Sequence, residues 1–213
     1  MNTPGDLSDS VPPAPGAPRN RVQLVLLAML FFVPLLASTV MYFAFPGMRP
    51  SGTTNFGELI APARPVPSLR LIASDGALTG EELLRGRWTY VTLGGIACDD
   101  TCVQRLVMTR QLRLAMNEKR SRVQRVLVLS EPTELGTTAQ RLAKEHPDLR
   151  IVAEHGIRGR QFGDFLEHRD AIAFLVDPNG NWLMLYPPGH ETITQFKGMQ
   201  KDLKKLLRLS QIG

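Results

Sequence analysis

Trp88-Thr89-Tyr90-Val91-Thr92-Leu93-Gly94-Gly95-Ile96-Ala97-Cys98-Asp99-Asp100-Thr101-Cys102 is the stretch from which the rest of the chain can be read. Its first half is rich in aromatic and β-branched residues, the composition of a strand. Its second half opens a helical pattern over 102–119, with apolar residues at Val103, Leu106, Val107, Leu112, Leu114 and Met116. Cys98 and Cys102 are the two cysteines of a 213-residue chain. A strand that delivers a cysteine pair to a helix N-terminus suits a redox pair, a soft-metal site or an inert disulfide. The spacing alone leaves all three open.

Outward from this stretch, strands and helices alternate. Leu69–Ile72 is a candidate strand, Asp75-Gly76 a turn, and Thr79 opens a short helix through Leu84. Val123–Leu129 reads as a buried strand. Glu134–Glu145 reads as a helix stopped by Pro147. Arg150–Ala153 is a short strand, Arg158–Leu166 a short helix and Ala171–Val176 a strand. Asp177-Pro178-Asn179-Gly180 then turns the chain into Trp182–Tyr186, a β-hairpin, and Thr192–Leu209 closes with a helix. The order β–α–β–α–β–α–β–β–α predicts an α/β domain whose sheet is covered on both faces. The closing hairpin and helix match the second half of a thioredoxin-like fold.

Upstream, Val22–Phe45 holds 24 residues without a charge. A helix needs about 20 apolar residues to cross a bilayer, and Pro34 is tolerated there. Met41-Tyr42-Phe43-Ala44-Phe45-Pro46 offers no small-x-small cleavage site, so an uncleaved anchor is expected. Arg19 and Arg21 precede the span and Arg49 follows it. That bias puts the N-terminus in the cytoplasm. In a bacterium the chain would cross the inner membrane once, with its C-terminal domain in the periplasm, where cysteines can be oxidised. The expected organisation is a disordered tail at 1–21, an anchor at 22–45, a Pro/Gly-rich linker at 46–67 and a folded domain at 68–213. The net charge of +5 is modest and does not point to nucleic acid. Lys197, Lys201, Lys204, Lys205 and Arg208 recur at helical spacing, the pattern of a solvated face.

A strand, then Cys98-x-x-x-Cys102 at a helix start, then His168 ahead of a strand ending in Asp177-Pro178-Asn179-Gly180, resembles the SCO (SenC) family. The resemblance covers about 68–209, and the anchor fits it. It implies a membrane-anchored, thioredoxin-like (SCO-type) domain that helps assemble the copper centre of cytochrome c oxidase. It also implies that Cys98, Cys102 and His168 hold copper, with the oxidase's copper-bearing subunit as partner. The family usually writes Cys-Pro-x-x-Cys-Pro, whereas here Asp99 and Asp100 fill the loop and neither cysteine precedes proline.

Two thiolates and an imidazole suit Cu(I) in low coordination. Oxidation to a disulfide would abolish binding, which couples copper load to redox state. Asp99 and Asp100 oppose thiolate formation, and no basic residue adjoins the pair in sequence. Both features weigh against a fast thiol–disulfide oxidoreductase of thioredoxin type, which is the enzyme alternative. A metal-free interaction module is the third reading. His190 is the alternative third ligand, while His146 and His155 read as loop-edge residues. Trp88 and Trp182 read as packing residues.

Overall fold

The computed structural model describes residues 18–45, 55–155, 162 and 170–210. The chain divides into two units, Met1–Gly52 and Thr53–Gly213. The first contains α1 (Pro18–Ala44), 27 residues with Pro34 inside. Its Arg21–Ala44 portion has mean hydropathy 2.5, and none of it is buried. At ~1.5 Å rise per residue it is long enough to cross a bilayer. Pro18–Arg21, expected in the tail, belong to this helix.

The second unit is built on one eight-stranded sheet. Its strands are β1 (Glu58–Pro65), β2 (Leu71–Ala73), β3 (Leu78–Thr79), β4 (Trp88–Leu93), β5 (Val123–Leu129), β6 (Leu149–Glu154), β7 (Ala173–Val176) and β8 (Asn181–Tyr186). The spatial order is β1-β8-β7-β4-β5-β6-β2-β3. β4–β5 and β5–β6 are parallel, while β4–β7 and β7–β8 are antiparallel. The unit also contains helices α2 (Asp100–Leu114), α3 (Leu135–Ala143) and α4 (Thr192–Leu209). This is the expected thioredoxin-like α/β arrangement.

Thr79, expected to open a short helix, ends β3 instead, and the helical turn begins at Glu81; two further stretches depart from expectation. Glu58–Pro65, read as linker from its prolines, is an edge strand paired with β8 alone. Edge strands tolerate proline because one row of their backbone groups faces away from the ladder. Pro62 sits where the register shifts between Leu59 and Arg64. The start of this segment is tied down by Asp202, a 1%-exposed side chain of α4. Its carboxylate accepts from the backbone N–H of Phe56 (2.9 Å) and Gly57 (2.8 Å). The folded unit therefore begins ahead of residue 68. The second departure is the face of α2. It buries Cys102, Leu106, Thr109 and Leu112, whereas Val107 and Leu114 stay 42% and 43% exposed. The expected helix at Arg158–Leu166 lies outside the described residues apart from Phe162, as do 1–17 and 46–54 of the tail and linker.

Alternation along β5 assigns the two faces of the sheet. Val126 and Val128 point into a cluster with Val91, Leu71, Phe174 and Trp182. Leu127 and Leu129 point the other way, beneath α2 and α3, with both cysteines. A third cluster joins Trp88, Tyr90 and Tyr186 to Met199, Leu203 and Leu207 of α4. Trp182 is fully buried against Phe162 and Phe174, as its packing role required. At the β7–β8 turn the Asp177 carboxylate accepts from the N–H groups of Asn179 and Asn181, and Gly180 takes φ +87°.

His146, expected at a loop edge, is 2% exposed. Burial pulls its pKa below the ordinary 6.5, reinforced by Arg125 and Arg110 and opposed by Glu145 and Asp148. The unfolded chain then binds a proton that the fold resists. His146 should leave stability intact above about pH 6.5 and erode it as pH falls below that value. Urea midpoints measured across this range should fall towards acid in the wild type, and less steeply in His146→Gln.

Candidate functional site

β4 carries the chain to the centre of the sheet, and its continuation stays tied to β5. The Gly94 N–H donates to the Val128 carbonyl (2.8 Å), and the Ser130 N–H donates to the Gly95 carbonyl (3.0 Å). Gly95, Ile96 and Ala97 are exposed, and the chain bends at Ile96 and Ala97 into buried Cys98. A Cβ on Gly94 would lie 2.9 Å from Leu129 Cδ2 and 3.7 Å from Cys102 Sγ. Glycine here lets the strand end run close against the cysteine sulfur.

Asp99 is the N-cap of α2, and its Oδ1 accepts from the Cys102 N–H at 2.8 Å. An Asp N-cap is a strong helix start and places negative charge at the positive end of the helix dipole. The carboxylate therefore occupies an N–H group that could otherwise have faced a thiolate. Asp100 follows in the first turn.

Cys98 and Cys102 are joined as a disulfide with a Cα–Cα distance of 5.2 Å. They are 2% and 3% exposed, packed with Leu106, Leu127, Leu129 and Leu135. A reagent must displace part of this packing before it reaches a sulfur. This burial follows from Cys102 lying on the inward face of α2 and from Cys98, just ahead of the helix, packing into the same cluster with Leu127 and Leu129 of β5.

Arg141 is the residue that sequence reasoning missed. It stands on α3, and its guanidinium donates to the Cys98 carbonyl. A cation thus lies beside the pair, although none adjoins it in sequence. The weak signal was the spacing of α3, which buries Leu135, Thr138 and Leu142 and leaves Arg141 at the margin of that face.

The structure brings the two cysteines together. His168 lies outside the described residues. His190 is exposed, its ring 4.9 Å from that of Phe56. The N–H of exposed His155 donates to the Arg70 carbonyl. Among the described residues no group of three His, Cys, Asp or Glu side chains converges as a metal site. The donor chemistry still fits a soft ion, because reduction would free two sulfurs four residues apart at one helix start.

A family model described as a transmembrane-like, thioredoxin-like C-terminal domain matches residues 88–210. No curated protein matches the chain. Among solved structures, copper-bound ScoI of Arabidopsis thaliana is 19% identical, with 70% of this chain and 99% of that one covered and a TM-score of 0.53. Apo Sco1 from Thermus thermophilus is 18% identical, with 75% and 98% covered and a TM-score of 0.56. BsSco, described with a disulfide switch as a member of the Sco family of cytochrome c oxidase assembly proteins, is 14% identical, with 73% and 99% covered and a TM-score of 0.54. At these identities the likeness is one of fold, and it is the fold expected from Cys98-x-x-x-Cys102 and its surroundings. The chain belongs to the family of transmembrane-like, thioredoxin-like C-terminal domains, as a divergent protein of Sco-type fold.

Proposed function

We propose that this chain is a membrane-tethered copper-binding assembly factor. It holds Cu(I) through Cys98, Cys102 and His168 and passes it to the copper-bearing subunit of cytochrome c oxidase. α1 anchors it in the inner membrane, and the Arg19/Arg21 bias sets the domain on the periplasmic side. The observation that carries the reading is the paired Cys98 and Cys102 at the N-terminal end of α2 in a Sco-type fold.

The pair as it stands cannot bind metal. Two electrons and two protons from a dithiol reductant open the disulfide, and the reductant becomes the disulfide. Cu(I) then displaces both thiol protons. Two thiolates, Cu(I) and a neutral imidazole sum to a single negative charge, and the helix start and Arg141 are on hand to offset it.

Arg141 also favours a second reading. A cation near Cys98 stabilises its thiolate, so the reduced pair could itself reduce a disulfide of the client subunit. The client's sulfurs would then gain two electrons and two protons, and Cys98–Cys102 would return to the bonded state seen here.

Titrating the reduced full chain in detergent micelles with Cu(I) against a chromophoric chelator separates these readings. One tight equivalent is expected, weakened by at least about 10–100-fold in His168→Ala, since loss of an outer partner of a metal ligand alone costs that much. Tight binding unchanged in His168→Ala would transfer the ligand role to His190. No tight binding would leave the thiol reductase or a metal-free module.

A further inference from the structure

A groove of about 950 Å³ runs between α2 and α4. Its apolar wall includes Val107, Ile172, Ile193 and Phe196. Val107 is 42% exposed and Ile193 60% exposed, although both are large aliphatic side chains. Arg105 and Lys197 stand on the rim, and no carboxylate is among the described residues that line it. Gln195 sits in the α4 wall, 1% exposed, with no hydrogen-bond partner for either Oε1 or Nε2. A buried amide left unpaired destabilises the fold, so this residue calls for a reason beyond packing.

We propose that this groove binds an extended polypeptide segment of a partner protein, with apolar side chains interspersed with carboxylates. Three features select that occupant. Exposed aliphatic residues on both helices offer burial to apolar side chains. Arg105 and Lys197 without an opposing acid select negative charge. The Gln195 amide, closed off from solvent as the groove stands, would on a small shift of the α4 wall offer one acceptor and two donors, which complement the N–H and C=O of a peptide unit. A helical ligand satisfies its own backbone and would not use that amide. A fatty carboxylate would bring acceptors alone. Thr101, which lies between the two cysteines in sequence, lines the same groove, so a bound segment runs past the start of α2. The inference rests on the groove itself and not on the copper reading.

The test is selection of phage-displayed short random peptides on the full chain in micelles, followed by affinity measurement with the enriched peptides as synthetic probes. Enrichment of sequences that mix apolar residues with Asp and Glu is expected. Their affinity should fall at least about tenfold in Gln195→Leu and in Ile193→Asp, and should weaken with salt. Gln195→Leu should at the same time raise the thermal midpoint of the free protein, because it removes an unpaired buried amide. A role in packing alone would not produce that opposition. The proposal is overturned if no peptide is enriched, or if enriched peptides bind both variants as well as wild type. It also fails if Gln195→Leu lowers the midpoint. Sedimentation showing a dimer that Ile193→Asp dissociates would assign the groove to a second copy instead.

Discussion

Cys102→Ser is expected to abolish tight Cu(I) retention by the reduced chain, weakening it by more than about a thousandfold, with its fold kept. Serine offers a hard oxygen where Cu(I) requires a soft sulfur, and Cys98 with one imidazole cannot replace the lost thiolate. The stability change separates loss of site from loss of fold. The disulfide closes a very short loop, and the chain-entropy relation gives it about 2 kcal/mol. Oxidised wild type should therefore exceed Cys102→Ser by that order in denaturant titrations, and reduced wild type should lie much closer to the variant. Trp88 and Trp182, both buried in the folded unit, report the transition through their fluorescence. A variant that folds and still holds one tight Cu(I) would remove Cys102 from the site.

How far sequence reached can be seen at particular residues. The hairpin at Asp177–Gly180 and the helix at Thr192–Leu209 were legible because turn chemistry and helical period are local properties. The cysteine pair was legible because strand and helix signals meet there. β1 was not, because its partner β8 lies more than a hundred residues away and its prolines mimic a linker. Arg141 was hidden for the same reason: Cys98 and Arg141 are 43 residues apart, and the sheet brings them together. The helical face of α2 was drawn through Val107 and Leu114, whereas Thr109 takes an inward position by donating its hydroxyl to the carbonyls of Arg105 and Leu106. Asp99 was read as a charge that opposes thiolate; in the structure it is first a helix cap.

β5 shows most clearly what an apolar reading conceals. Val123–Leu129 was expected as a buried strand, and every residue is buried, but two are polar. Gln124 donates to the Leu83 carbonyl (2.8 Å) and the Thr89 hydroxyl (2.7 Å). Arg125, 1% exposed, donates to the Leu106 carbonyl (2.7 Å), to Thr109 Oγ1 (3.2 Å) and to the Asp148 carboxylate (3.2 Å), and lies 3.4 Å from His146 Nδ1. Burial lowers its pKa and Asp148 counters that, so the guanidinium is held by its partners. Arg125→Ala should destabilise the folded unit by about 3–5 kcal/mol, the range for removing one partner of a buried ionic network. Asp148 would keep Arg113 at 3.4 Å, which sets the loss towards the lower end. Arg125→Met keeps the stem's volume and should lose roughly half as much. The variant carries a second signature. Without the neighbouring cation the His146 pKa moves back towards its ordinary value, so the loss of stability below about pH 6.5 should become shallower. A full-sized loss with an unchanged pH slope would mean that cavity formation alone is responsible. Arg125 grips α2 one turn beyond Cys102, and Arg141 reaches the Cys98 carbonyl from α3. The pair is thus held from both helices, and loosening α2 through Arg125 should also speed reduction of the buried disulfide.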